Sequence, residues 1–166
     1  RQSFYEPAAS RIVSLGDRGV FGAFERNVGR EPWVSDGTSS GTKLLLDLAP
    51  GSAESNPSGF FVANRVVYFA ATDPEHGREL WRTDGTPEGT RMGADLAPGS
   101  ASSDPDQITR LGNVLYFGAT TPDAGRELWA YPLPDAPAVT IDDAHVTEGQ
   151  QQIEIPVRLT QASRQR

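Results

Sequence analysis

The sequence predicts an all-β protein built from tandem repeats, and three observations support this fold class. They are an internal repeat, frequent turn-forming residues, and strand-forming segments between the turns. The 166-residue chain contains 17 Gly and 13 Pro, which divide it into short pieces. The runs at 66–69 (Val-Val-Tyr-Phe) and 114–117 (Val-Leu-Tyr-Phe) are rich in the β-branched and aromatic side chains that favour strands.

A repeat of 48 residues extends through most of the chain. This interval separates the members of two aromatic series, which are Trp33, Trp81 and Trp129, and Phe21, Phe69 and Phe117. It also relates 47–52 to 95–100, both of which read Asp-Leu-Ala-Pro-Gly-Ser. A period of this length is typical of solenoids, propellers and arrays of closed units. We therefore expect both aromatic series to form the core between repeats.

Each unit is predicted to contain four short antiparallel strands. The expected strands are 108–111 and 114–119 in the third unit, and 78–83 and 90–96 in the second. The turn at 112–113 (Gly-Asn) should join the first two strands, and Asp84-Gly85 should form a tight hairpin between the last two. The strand at 114–119 is apolar on both faces, so we expect both of its faces to be buried. In the first unit, Leu44, Leu46 and Leu48 are expected to share one face of the fourth strand.

Four strands per unit indicate a β-propeller-like architecture, because a single blade needs neighbours to bury its two faces. The chain holds two full units and a third that stops after its third strand, where Ala130-Tyr131-Pro132 replaces Asp-Gly-Thr. The predicted propeller is therefore partial, completed by other chains, or supplied with a strand from residues 1–7. A β-trefoil, which closes with three units, is the alternative fold.

The segment 79–86, Glu-Leu-Trp-Arg-Thr-Asp-Gly-Thr, resembles the ELWxxDGT repeat family of bacterial extracellular proteins. The resemblance covers roughly 11–132, and we assign residues 1–131 to a repeat domain of this type. Pro32 replaces Leu in the first copy, and the third copy lacks Asp-Gly-Thr. The resemblance implies a large, secreted or surface-attached multi-repeat protein without an assigned enzymatic activity.

A change in composition marks the C-terminal part of the chain. A Pro-rich linker is predicted at 132–137, and 139–149 resembles the opening of a Calx-β domain. Residues 138–166 are therefore expected to be the N-terminal part of a Calx-β-like domain, with the first strands of an incomplete immunoglobulin-like sandwich. In that family a Glu near this position contributes to Ca²⁺ binding, and Glu148 matches it.

Composition argues against several function classes. The formal net charge is −7 and no clustered basic face is visible, so a nucleic-acid partner is not expected. No apolar segment approaches the roughly 18 residues that a membrane-spanning helix needs, so membrane insertion is not expected. The absence of Cys excludes disulfides, thiolate metal sites and Cys nucleophiles.

The candidate site residues all recur with the repeat, except Glu148. The motif tryptophans are interpreted as core between units, with sugar stacking as the alternative. A Gly-Arg-Glu sequence recurs just before the motif tryptophan in each unit, with its glutamate at Glu31, Glu79 and Glu127. We interpret this glutamate as a structural hydrogen-bonding or ion-pairing group, because an active site is normally built once. Asp84 and Asp95 are candidate Ca²⁺ ligands together with Glu148, and turn formation is the competing interpretation for the two aspartates. Calcium is the one candidate cofactor, and no catalytic residue is predicted.

These observations predict a non-catalytic structural or adhesive module of a secreted or cell-surface bacterial protein. Its expected partners are other repeats or chains of the same protein. A carbohydrate- or protein-binding propeller is the second hypothesis. The third is a self-assembling subunit in which the C-terminal segment, with its alternating strand at 152–160, donates a strand to a neighbouring molecule.

Overall fold

The computed structural model describes residues 11–133, 138–141 and 157–160, and all regular structure within these ranges is β. The first sheet has the order β1 (Val13–Leu15), β2 (Arg18–Glu25), β3 (Gly29–Ser35) and β4 (Lys43–Leu44). The second has the order β5 (Ser58–Ala63), β6 (Val66–Asp73), β7 (Gly77–Thr83) and β8 (Arg91–Ala94). Every pairing is antiparallel, so each sheet is a meander of consecutive strands.

The third sheet has three strands in the part of the chain that is described. It consists of β9 (Asp106–Leu111), β10 (Val114–Thr121) and β11 (Gly125–Pro132), with β10 in the centre. A separate antiparallel pair follows, formed by β12 (Ala138–Ile141) and β13 (Val157–Thr160). The all-β prediction is confirmed.

The 48-residue repeat corresponds to the strand register. The two aromatic series are cross-strand partners in the three sheets, as Phe21 and Trp33, Phe69 and Trp81, and Phe117 and Trp129. The predicted turn at 112–113 joins β9 to β10. Equivalent residues therefore occupy equivalent places in the three sheets.

The sheets pack face to face, and the middle sheet is buried on both sides. We call the side of each sheet that carries the Phe–Trp pair its front face, and the opposite side its rear face. The front face of the middle sheet forms one core cluster with the rear face of the first sheet; its members include Val20, Val34, Leu45, Leu48, Val67, Phe69 and Trp81. The rear face of the middle sheet forms a second cluster with the front face of the third; its members include Tyr68, Leu80, Leu115, Phe117 and Ala119.

The first strands of the sheets also lie side by side, because β5 contacts both β1 and β9. The three sheets do not close into a ring within the described residues. The outer side of β10 consequently differs from that of β6. Tyr68 and Ala70 on β6 are buried, whereas Tyr116 and Gly118 on β10 are only half-buried. The expected burial of β10 on both faces therefore holds at Val114, which is buried, and is wrong at Tyr116 and Gly118, because no described sheet covers its rear face there.

Two local predictions were also wrong. Asp84-Gly85 does not form a two-residue hairpin, because β7 ends at Thr83 and β8 begins only at Arg91. In the first sheet β4 ends at Leu44, and the alternating pattern expected for the leucines ends with it. Leu45 and Leu48 are buried, whereas Leu46 is 37 % exposed.

Candidate functional site

The Gly-Arg-Glu sequence at the start of β3 holds the segment that connects the first sheet to the second. The Glu31 carboxylate is fully buried. Its Oε2 accepts a hydrogen bond from the backbone N–H of Leu48 (3.0 Å), and its Oε1 accepts one from the backbone N–H of Ser55 (3.0 Å). Neither donor lies in a strand. Glu31 thus satisfies buried backbone groups that no sheet ladder can satisfy.

The same arrangement recurs at the start of β7. Glu79 is fully buried, and Oε2 accepts from the backbone N–H of Leu96 (3.0 Å). Oε1 accepts from the backbone N–H of Ser103 (2.9 Å), and the Ser103 hydroxyl donates to Oε2 (2.6 Å). We call each such arrangement of Gly-Arg-Glu and its connecting segment a clasp.

Each clasp also links two neighbouring sheets through one serine. Ser55 donates its N–H to the Arg30 carbonyl (3.1 Å) and accepts from the N–H of Thr72 on β6 (2.8 Å). Ser103 donates in the same way to the Arg78 carbonyl (3.1 Å) and accepts from Thr120 on β10 (2.7 Å). The backbone of one serine therefore bridges the third strand of one sheet to the second strand of the next.

Glycine is required at the first position of the clasp because the connecting segment passes directly over it. A Cβ added to Gly29 would lie 1.8 Å from the carbonyl oxygen of Ala53, and one added to Gly77 would lie 2.2 Å from that of Ala101. Both glycines also have positive φ, +72° and +68°. A side chain at either position would displace the segment or strain the backbone.

The clasp carboxylates serve as structural acceptors. Burial raises the pKa of Glu31 above its ordinary value, while the hydrogen bonds from Ser55 and Leu48 oppose that change. Both carboxylates are fully buried, and each of their oxygens accepts a hydrogen bond from a chain group. The structural interpretation of the repeated Glu is confirmed for Glu31 and Glu79. The two serines were missed, although their spacing of 48 residues was a signal in the sequence.

The third copy of the motif, Gly125-Arg126-Glu127, holds no such segment in the described part of the chain. Glu127 is exposed, whereas its two equivalents are fully buried. Gly125 keeps the positive φ of +73°, yet nothing lies within 4 Å of a Cβ added to it. Arg126 forms an ion pair with Asp106. Within the described residues, the third sheet therefore has the clasp residues but no connecting segment held by them.

The predicted core residues occupy equivalent places with different exposure. Phe69 and Phe117 are buried, and Phe21 is half-buried. Trp33 and Trp81 are 4 % and 7 % exposed, whereas Trp129 is half-buried. Indoles as buried as the first two have no face open to a sugar ring, so carbohydrate stacking on them is disfavoured.

Asp84 organises the loop between β7 and β8. Its Oδ1 accepts from the backbone N–H (3.0 Å) and the hydroxyl (2.6 Å) of Thr86, and these bonds lower the pKa of Asp84. Thr86 in turn accepts from the N–H of Gly89 through its hydroxyl and from the Thr90 hydroxyl through its carbonyl. Asp36 bonds Thr38 in the same way in the first sheet. Asp-Gly-Thr is therefore an Asx-type loop motif.

Of the three candidate calcium ligands, the structure describes Asp84 and Asp95. Asp84 lies in its own loop and Asp95 lies just beyond β8. Glu148 lies outside the described residues. Within 11–133 and the two short C-terminal strands, no group of three or more His, Cys, Asp or Glu side chains is placed to hold a metal ion.

His76 forms an ion pair with Asp73 at the turn between β6 and β7. Its Nδ1 lies 2.9 Å from Asp73 Oδ2, and this hydrogen bond raises the pKa of His76 above its ordinary 6.5. A histidine with a raised folded-state pKa contributes stability below its unfolded pKa, and that contribution is lost as the pH rises through the folded pKa. NMR titration of the ring should give a pKa above 6.5, and Asp73→Asn should lower it. An Asp73→Asn variant that left the pKa unchanged would contradict this pairing.

Surface depressions are open and shallow. One of about 490 Å³ covers the rear face of the third sheet, where it is lined by Tyr116, Arg126 and Leu128 among others. Another of about 340 Å³ lies between the Asp-Gly-Thr loops of the first two sheets, beside Arg18 and Lys43. Arg18 already donates to the Gly85 carbonyl (3.1 Å) there.

Comparison with known proteins gives little similarity. No family model and no curated protein matches the chain. Among solved structures, the chain is similar to the computationally designed Ika8 protein, with 15 % identity and a TM-score of 0.42. The match covers 82 % of this chain and 41 % of that protein, so the chain spans about two fifths of its length. A likeness of this strength carries no argument. No helix in the described ranges is long and apolar enough to cross a membrane.

Proposed function

We propose that the chain is a non-catalytic β-repeat scaffold, a structural or adhesive module of a secreted or cell-surface bacterial protein of the ELWxxDGT type. The observation that carries this proposal is the burial and hydrogen bonding of the repeated Glu carboxylate. Glu31 and Glu79 are fully buried and hold the connections between sheets, so the most prominent polar residue of the repeat has a structural role.

A propeller-like stack is the architecture that we propose for the repeats. Two features support it: the front face of each sheet packs on the rear face of the preceding sheet, and the first strands lie together on one side. Four-stranded antiparallel units arranged in this way resemble blades around an axis. The same features favour a propeller over a β-trefoil.

Other repeats or chains of the same protein are the proposed partners. Leu80 on the rear face of the middle sheet is 0 % exposed, whereas its equivalent Leu128 on the third sheet is 52 % exposed. An apolar side chain that a neighbouring sheet covers in one unit and that is exposed in the next marks the face on which a further unit would pack. This face also supports protein binding as the second candidate function. A carbohydrate site would require residues other than Trp33 and Trp81.

The C-terminal segment is proposed to begin a Calx-β-like domain. The antiparallel pairing of β12 with β13 agrees with the first strands of a sandwich. Calcium binding through Glu148 belongs to this proposal. The same pairing competes with strand donation by 152–160, because residues 157–160 already have a partner strand within the chain.

The scaffold proposal predicts that the three sheets unfold together. Each sheet carries one tryptophan, on β3, β7 and β11, so variants that retain a single Trp and carry Phe at the other two positions report on one sheet each. Each variant's fluorescence transition in urea should coincide with its own circular dichroism transition. The three variants should also have the same m-value, because each unfolds the same surface. A separate early fluorescence transition for one sheet would show that the units are independent, against the proposal.

A further inference from the structure

Among the described residues, the edge of β11 that faces away from β10 has no hydrogen-bonded partner strand. In the first two sheets the corresponding edge pairs with a fourth strand, as in the pairing of β7 with β8. In the third sheet, β11 has no second partner strand among the described residues. By sequence interval the fourth strand would fall near 139–142, where β12 begins at Ala138. β12 lies close to β11, but it pairs with β13 and is not hydrogen-bonded into the third sheet.

The clasp residues beside this edge are in place. Glu127 is exposed, in contrast to the full burial of Glu79, and Gly125 has open space where a connecting segment crosses Gly77. At Gly77 the crossing group is the carbonyl of Ala101. Gly125 retains the left-handed conformation that permits such a crossing. The β11 edge, Gly125 and Glu127 thus together form one candidate docking site for a connecting segment.

The sequence that follows β11 departs from the repeat at the positions of the missing segment. Residues 1–7, the other expected source of a strand, lie outside the described residues. Residues 95–100 read Asp-Leu-Ala-Pro-Gly-Ser, as do 47–52, whereas the equivalent positions 143–148 read Asp-Ala-His-Val-Thr-Glu. The serine that enters each clasp has Gln at the equivalent position 151. The repeat sequence that fits the clasp therefore ends before the third clasp.

We propose that Gly125–Glu127 and the β11 edge form a docking site for an extended segment of a partner polypeptide that carries the repeat's fourth-strand and connecting sequence. The strand would pair with β11 by main-chain hydrogen bonds, which is the general mode of β-strand addition. The segment after it would cross Gly125 and donate two backbone N–H groups to Glu127. The inference rests on the proposed repeat scaffold and adds an acceptor for a further unit.

The probe is a synthetic peptide with the sequence of residues 90–104, which contains the fourth strand and the connecting segment of the middle sheet. It is titrated into the full 166-residue chain labelled with ¹⁵N. The expected result is saturable binding with amide shift changes concentrated at 125–130. A peptide N-methylated at the residues corresponding to Leu96 and Ser103 lacks the two N–H donors and should bind at least about 10-fold more weakly.

Two variants of the chain test the proposed contacts. Glu127→Ala removes the acceptor, and Gly125→Ala places a methyl group where the segment would cross; each should weaken binding at least about 10-fold. Asp123→Ala, in the adjacent exposed turn, should leave the affinity unchanged and is the matched control. Circular dichroism of each variant establishes that the chain remains folded.

Several outcomes would overturn the proposal. They are no binding at about 1 mM peptide, equal binding to the Glu127→Ala variant, and shift changes confined to the clasp at Glu79. The last would indicate exchange with the chain's own fourth strand. Because coincident unfolding of the three sheets does not depend on this site, a failed titration would leave the scaffold proposal standing.

Discussion

Replacing Glu79 by Ala is expected to lower the free energy of unfolding by about 2–4 kcal/mol. The substitution removes the acceptor of three hydrogen bonds, two of them from backbone N–H groups of Leu96 and Ser103. Ser103 is fully buried, so its N–H would retain the Arg78 carbonyl (3.1 Å) but lose the carboxylate, and its hydroxyl would lose its acceptor, without either group gaining water. Urea denaturation followed by circular dichroism measures the loss, with an unchanged m-value showing that the two-state transition is retained.

Glu127→Ala is the matched control for this prediction. It makes the same chemical change in the same sequence context, but Glu127 is exposed. Its effect should stay within about 0.5 kcal/mol, as for most surface substitutions. Equal losses in the two variants would mean that the repeated carboxylate acts through local strand propensity and not through the clasp.

Leu80→Ala should cost about 2–5 kcal/mol of stability because it creates a cavity between the second and third sheets. Leu80 is 0 % exposed and belongs to the core cluster that contains Tyr68, Leu115 and Phe117. The cavity would remove contacts on which the packing of the two sheets depends. Thermal and urea unfolding of the same variant give the loss independently.

Leu128→Ala makes the same change at the equivalent position of the third sheet, where the side chain is 52 % exposed. Its effect should be below about 1 kcal/mol. The difference between the two leucine variants measures what the covering sheet contributes at that position. A Leu128→Ala loss as large as that of Leu80→Ala would show that the rear face of the third sheet is covered in solution.

The repeat allowed most of the strand positions to be predicted from the sequence. Because the aromatic series recurs at a constant interval, one well-defined copy positions the others, and Phe69 paired with Trp81 implies the pairs in the other sheets. The structural role of Glu79 also followed from recurrence. Its partners did not, since Ser103 lies in a connecting segment whose path depends on tertiary structure.

The local errors have a common physical origin. Asp-Gly favours both a two-residue hairpin and an Asx-type loop, and the choice depends on the side chains that follow. Here the Thr86 hydroxyl and carbonyl extend the loop to Thr90, and the recurrence of that threonine was the available signal. The leucine error arose because alternation presumes a continuous strand. The chain leaves β4 at Leu44, so Leu45 and Leu48 face the core instead.

The lack of a fourth strand beside β11 in the described residues was predictable only in part. The loss of Asp-Gly-Thr after Trp129 indicated that the third unit ends early. Whether the following residues form the fourth strand depends on which strand they pair with. The pairing of β12 with β13 and the exposure of Glu127 are tertiary facts that no local pattern contains.

Amide hydrogen exchange tests the clasp most directly. The two buried carboxylates accept hydrogen bonds from four backbone N–H groups. These belong to Leu48, Ser55, Leu96 and Ser103, all of which lie outside strands. We expect these loop amides to exchange as slowly as those in the centre of β6, with opening free energies close to that of global unfolding. Exchange as fast as that of the exposed turn at Asp17 would contradict the view that buried carboxylates hold the sheets together.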